Sequence, residues 1–310
     1  MKFTNETTNT ILKTLQQALL NLKEKEILTF EVINPDVESS TYNGTKISLN
    51  DKIYVYRGYK SWIDLAHILK CKMLTPILQT NQNFVQIRYE KLNEDVSFHK
   101  NVDKEEKYGS GSIFSNINKN DEFSFLHYFT QALKNVNINK RLNILNLGVN
   151  NGDEFELIKE YATNFKNLKM VGIDYCSSAI KEAESKFEKD KNIVFYNADI
   201  TKLQNLNLDK FDLIITIGTL QSSNLNFNKT LMDITQNYLK KDGTIILGFP
   251  NCRWIDGEMV YGAKVKNYPF SEMGLLYKDV IFSKKYLQQK QFRVTITGKD
   301  YIFLTATSIR

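Results

Sequence analysis

The sequence predicts an α/β protein: an open, mainly parallel sheet covered by helices on both faces, with a smaller α+β domain ahead of it. Three observations predict it. From residue 141 onward, apolar runs of strand length alternate with helical patterns. The first run, residues 142–147, enters a sharp loop holding Gly148, Asn150, Asn151 and Gly152, after which Asp153 and Glu154 open a helix. The second and third runs each end in an acid, Asp174 and Asp199.

Taken in order, residues 1–97 form the α+β domain. Ile11, Leu12, Leu15, Leu19 and Leu22 recur at helical spacing, which predicts a helix over 7–23. Residues 27–33 and 52–56 read as strands, with a hairpin turn between them at Asn43-Gly44. Trp62, Leu65, Ala66 and Leu69 mark a short helix that Pro76 bars from continuing. Val85, Ile87 and Tyr89 alternate with polar residues, the pattern of a half-buried strand. Substrate recognition and dimerisation, hence a homodimer, are the roles left open for this domain.

Residues 98–140 are a connecting segment and a helix. Residues 98–120 are polar and rich in turn formers. Phe125, Phe129 and Leu133 then predict a helix over 121–133. Residues 141–310 form the core, with further helices over 155–161, 178–187, 231–239 and 284–289 and a closing pair of strands at 292–297 and 301–306. Those two lie so close in sequence that they pair as a hairpin.

The strand, glycine turn and helix N-terminus of residues 141–155 make a ligand cradle, because glycines let the backbone approach a ligand and the free N–H groups of the turn face it. In such a sheet, ligands bind beyond the carboxyl ends of the strands, where Asp174 suits the two hydroxyls of a ribose.

Composition bounds the rest. The chain has 310 residues, 42% hydrophobic and 25% charged, which suffices for a sizeable core. Its net charge of +6 reads as a Lys-rich solvated surface, because Lys is interspersed with Glu and Asp. The three cysteines, Cys71, Cys176 and Cys252, lack metal-ligand spacing and suit a reducing compartment, so no metal site is expected. With no signal-peptide core and no bilayer-length apolar run, no membrane partner is expected and the cytoplasm is the default.

In Gly148 to Gly152, Asp174, Asp199 and the turn Lys240-Lys241-Asp242-Gly243, the chain resembles the class I S-adenosylmethionine-dependent methyltransferases. The resemblance spans roughly residues 105–310. It implies a Rossmann-like seven-stranded methyltransferase sheet, S-adenosyl-L-methionine as cofactor, and a site built from Asn146, Gly148, Val149, Asn150, Gly152, Asp174, Tyr175, Asp199, Ile200 and Gly218. The family commonly has an acid where Asn146 sits and a glycine where Asn150 sits. It also implies a second role for Tyr108, in the stretch 108–112: such a segment folds over the cofactor, whereas the residues alone read equally as a linker.

The acceptor side falls to the long stretch after residue 249, where Asn251, Arg253, Tyr261 and Lys264 are candidates, with His127 from the helix before the core. Arg253 and Lys264 suit an anion. The expected acceptor is a small or medium polar or anionic molecule, such as a sugar or phosphate-containing metabolite, ahead of RNA. No catalytic base is named. Two other readings stay open: an RNA methyltransferase whose N-terminal module binds RNA, and a non-catalytic interaction protein that keeps the fold.

Overall fold

The computed structural model describes residues 1–97, 108, 109, 111–263 and 271–309. The chain divides into two compact units: one of Met1–Ser97 with Trp254–Val260, the other of Phe98–Arg253 with Tyr261–Arg310. Residues 254–260, which the sequence reading leaves in the core, are thus grouped with the first unit.

The first unit runs β1 (Lys2–Phe3), α1 (Thr8–Leu20), β2 (Ile27–Ile33), β3 (Lys46–Leu49), β4 (Lys52–Val55), α2 (Tyr59–Ile68), β5 (Cys71–Leu78) and β6 (Phe84–Lys91). Thr7 caps α1 by accepting from the Thr10 N–H. Four strands form a sheet in the order β1-β2-β6-β5. Ile11, Leu15 and Leu19 of α1 and Trp62 of α2 close its core on Phe30, Ile87 and Tyr89.

One local expectation is corrected here. The hairpin β3–β4 turns at Asn50-Asp51, with φ of 52° and 60°, and not at Asn43-Gly44. Two consecutive left-handed residues make the turn that matches strand twist, and Asn and Asp tolerate that conformation without glycine. Pro76 lies within strand β5, which is allowed because β5 is an edge strand whose register shifts between Leu74 and Ile77.

The second unit runs α3 (Phe123–Asn135), β7 (Asn143–Leu147), α4 (Asp153–Tyr161), β8 (Lys169–Asp174), α5 (Ser177–Lys186), β9 (Ile193–Asn197), β10 (Phe211–Ile217), α6 (Phe227–Asp233), β11 (Leu239–Pro250), α7 (Gly274–Gln289), β14 (Phe292–Gly298) and β15 (Tyr301–Ser308); between β11 and α7 the chain makes the hairpin β12 (Cys252–Ile255) and β13 (Glu258–Tyr261), whose residues 254–260 are those grouped with the first unit. Helix α7 begins ten residues before the expected 284, so part of the long acceptor-side stretch is helical.

Seven strands pair in the order β14-β15-β11-β10-β7-β8-β9, and β15 alone runs against its neighbours. Both faces are covered, so adjacent residues of a strand serve opposite cores. Leu145 and Ile214 pack with Leu231, Leu276 and Leu287 on one face. Ile144 and Ile215 pack with Phe125, Phe129, Phe155 and Ile180 on the other. Strand order reverses between β7 and β10, and a crevice forms at such a switch point beyond the carboxyl ends.

Candidate cofactor site

Strand β7 delivers the glycine loop to the switch point. Gly148, Asn150 and Gly152 all have positive φ, at 74°, 48° and 90°. A Cβ on Gly148 would fall 1.8 Å from the hydroxyl of Thr219, so glycine is required by packing as well as by conformation. Asn150 holds a left-handed backbone that Asn tolerates better than most residues, which explains how the chain manages without glycine there. The N–H groups of Gly148 and Val149 both donate to the Ile173 carbonyl, at 2.8 and 3.1 Å, and clamp the loop to the end of β8.

Asp174 ends β8 and is the hub of this side. Its Oδ2 accepts from the Asn150 N–H and its Oδ1 from the Cys176 N–H, both at 2.9 Å. Burial pushes its carboxyl up from the usual aspartate value, opposed by these main-chain donors and by the charge of Lys119. Tyr108 reaches the same point: its carbonyl accepts from Asn150 Nδ2 at 2.8 Å, and burial and the Asp174 charge push its phenol up. Val149 is fully buried beneath the loop, whereas Tyr175 is exposed.

The remaining cofactor-side candidates flank this hub on the neighbouring strand ends. Asp199 follows β9, and its side chain caps the short helix Ile200–Leu206 through the Thr201 N–H at 2.8 Å, with Ile200 buried below. Gly218 follows β10 at φ 73°, with Pro250 of β11 against it.

Asn146, Glu154 and Lys119 make a second, buried cluster at the same loop. Asn146 and Glu154 are each 1% exposed. Asn146 Nδ2 donates to Glu154 Oε2 at 3.2 Å, and Lys119 Nζ lies 2.8 Å from Glu154 Oε1 and 3.7 Å from Asp153. Burial alone would lower the Lys119 ammonium; Glu154 and Asp153 outweigh it and raise it. Lys186 continues the network to Asp153 at 3.5 Å and Glu156 at 3.1 Å. Sequence reasoning missed Lys119 and Glu154. An acid in the first turn of a helix reads as a partner of the helix dipole, and a lysine among turn formers reads as solvated.

The acceptor-side candidates are less gathered. Asn251, 4% exposed, donates through Nδ2 to the Lys299 carbonyl at 3.1 Å and through its N–H to the Asp300 carbonyl at 2.8 Å. Arg253 does not stand ready for an anion on all sides, because its Nη1 donates to the Gly262 carbonyl at 3.0 Å and to Ser271 Oγ at 3.1 Å. Tyr261 is half exposed and its hydroxyl meets Met273 Sδ at 3.2 Å. His127 lies exposed on α3, edge-on to Tyr128. Lys264, like residues 98–107 of the connecting segment, lies outside the described residues. Asp300 was not anticipated: 6% exposed, it accepts from Ser124 Oγ at 2.6 Å and pairs with Lys299 at 3.3 Å, beside the end of β11.

A family description, "Methyltransferase domain", matches residues 138–294, half of the chain. Among solved structures, the chain is similar to the N-methyltransferase NodS of Bradyrhizobium japonicum WM9 in complex with S-adenosyl-l-homocysteine, at 15% identity over 62% of this chain and 91% of that one, with a TM-score of 0.44. It is similar to a SAM dependent methyltransferase from Aquifex aeolicus at 17% identity, covering 63% and 98%, TM-score 0.42. It is also similar to a precorrin-6y C5,15-methyltransferase from Geobacter metallireducens GS-15 at 12% identity, covering 58% and 87%, TM-score 0.41. No curated protein matches the sequence.

Proposed function

Because the chain belongs to the methyltransferase-domain family, class I enzymes that take S-adenosylmethionine as methyl donor, we propose that the cofactor lies across the carboxyl ends of β7 to β10, its ribose on Asp174. The donor set fits. Asp174 accepts from the main-chain N–H groups of Asn150 and Cys176, with Tyr175 a third main-chain donor, and a carboxylate offers about four lone-pair sites, so a ribose hydroxyl can still be taken. Asn146 Oδ1 and Asn151 Oδ1 are buried amide oxygens of the same strand and loop with no partner among the described residues. They suit a donor at the other end of the ligand.

When bound, the cofactor supplies an electrophilic methyl group on a positively charged sulfur. The work of the chain is then alignment and exclusion of water. The glycine loop and Asp174 orient the adenosine half, and Tyr108 covers the loop through Asn150.

The acceptor is proposed to be a small polar molecule. Asp300, held by Ser124 at the β11 and β15 end, supports this reading because a carboxylate there can take the proton that a hydroxyl or amine loses on methylation. An RNA acceptor bound by the first unit would call for a basic face; that unit carries twelve Lys and Arg against thirteen Asp and Glu. The free, buried thiols of Cys71, Cys176 and Cys252 support a reducing compartment such as the cytoplasm.

The observation that carries the reading is Asp174 at the end of β8, one loop from the glycines. Calorimetric titration of the wild type with S-adenosylmethionine and with S-adenosylhomocysteine tests it. Asp174→Ala is expected to weaken binding about a hundredfold, the loss of a hydrogen bond to a charged acceptor. Absence of binding by the wild type overturns the proposal.

A further inference from the structure

We infer that Glu154 is a positioning residue that turns the Asn146 amide to receive the amino-acid end of the cofactor, an inference that rests on the cofactor reading above. Asn146 sits on β7 opposite Gly172 of β8, two residues before Asp174. One strand spacing, about 4.8 Å, therefore separates the two strands that carry these groups.

The two ends of an amide are distinguished by what they face. A carboxylate only accepts, so the end of Asn146 that lies 3.2 Å from Glu154 Oε2 is the donor, Nδ2. Lys119 pairs with that carboxylate at 2.8 Å. Oδ1 is thereby turned away from Glu154, and it is buried with no donor among the described residues. Buried polar groups are nearly always paired, and an exception calls for a missing partner. Asn151 Oδ1, in the adjoining loop, is a second such acceptor.

Charge points the same way. The linked cluster joins three carboxylates, Asp153, Glu154 and Glu156, to two ammonium groups, Lys119 and Lys186. One negative charge is in excess, so a ligand group that both donates hydrogen bonds and carries positive charge is favoured. The ammonium of an amino acid is such a group, and it has three donors. On this account the negative charge is one hydrogen bond removed from residue 146, and Asn146 is its relay.

Two ligands separate this role from a structural one. S-adenosylhomocysteine carries the amino-acid end; 5′-methylthioadenosine keeps the adenosine and the sulfur and lacks it. Both are titrated into the wild type, Glu154→Gln, and the double variant Asn146→Asp/Glu154→Gln, which moves the carboxylate onto residue 146. Glu154→Gln is expected to weaken S-adenosylhomocysteine about tenfold and leave methylthioadenosine unchanged, and the double variant is expected to recover most of the loss. Should Glu154→Gln fail to fold, Asn146→Ala removes the acceptor without touching the ion pair and is expected to show the same selective loss. Equal weakening of both ligands, or a double variant no better than the single one, overturns the inference. A wild type that binds methylthioadenosine as tightly as S-adenosylhomocysteine also overturns it while leaving the Asp174 reading standing. A wild type that binds neither overturns both.

Discussion

Two carboxylates flank the glycine loop, and they are held in opposite ways. Asp174 is half-buried and its oxygens are met by main-chain N–H groups of Asn150 and Cys176. Glu154 is buried and, among the described residues, met by side chains, the Lys119 ammonium and the Asn146 amide. Main-chain donors are fixed by the path of the loop and survive side-chain changes around them. Side-chain donors can each be lost in a single substitution. The first acid is therefore robust where the second is vulnerable.

The largest test of this contrast is Lys119→Met. It leaves Glu154 buried without a cation, and breaking one side of a buried pair typically destabilises by about 3–5 kcal/mol. A loss near the lower end, about 3 kcal/mol, is expected in the urea midpoint; a loss under about 1 kcal/mol would show that Glu154 does not depend on its side-chain partner.

A smaller effect concerns pH. Burial raises the Asp174 carboxyl above the 3.8 of an unperturbed aspartate. The protonated group no longer offers a charged acceptor, so cofactor affinity is expected to be full at neutral pH and to fall as pH drops through the raised value. The decline should thus begin at higher pH than for an ordinary aspartate. Calorimetry from pH 7 downward reads it, and Asp174→Asn should remove this dependence.

The smallest effect is expected for Asn150→Gly. Glycine relaxes the backbone at φ 48° but gives up the 2.8 Å bond to the Tyr108 carbonyl and adds freedom to the unfolded chain. The net change in stability should stay within about 1 kcal/mol. Because the N–H to Asp174 remains, cofactor affinity should hold; a large loss would mean that the Asn150 side chain, and not the backbone, serves the site.

The same contrast marks what could be read without a structure. The Asp174 side was legible because it is local: a strand end, a glycine turn and an acid one βα unit later are all visible as pattern. The Glu154 side was not, because its meaning lies in Lys119, more than thirty residues earlier in a polar stretch with no periodicity. Likewise the seven core strands were legible from apolar runs, while the start of α7 was hidden. Its first turns carry Tyr277, Lys278 and Asp279 among apolar residues, without a capping residue to announce them. Asp300 went unseen for a related reason. Before β15 it reads as a turn residue, and only folding brings Ser124 of α3 to it across 176 positions of sequence.

The division of the chain also bears on its synthesis. Within the first unit, Asp256 accepts from the Asn93 N–H at 2.9 Å and pairs with Lys25 at 2.6 Å, and Glu258 pairs with Lys72 at 2.7 Å. Asn93 and Asp256 stand 163 residues apart. On a ribosome adding about 5–20 residues per second, that gap takes roughly 8–30 s to make. The first unit emerges early but is completed late, so its final consolidation waits on the synthesis of five of the seven strands of the large sheet, β7 to β11.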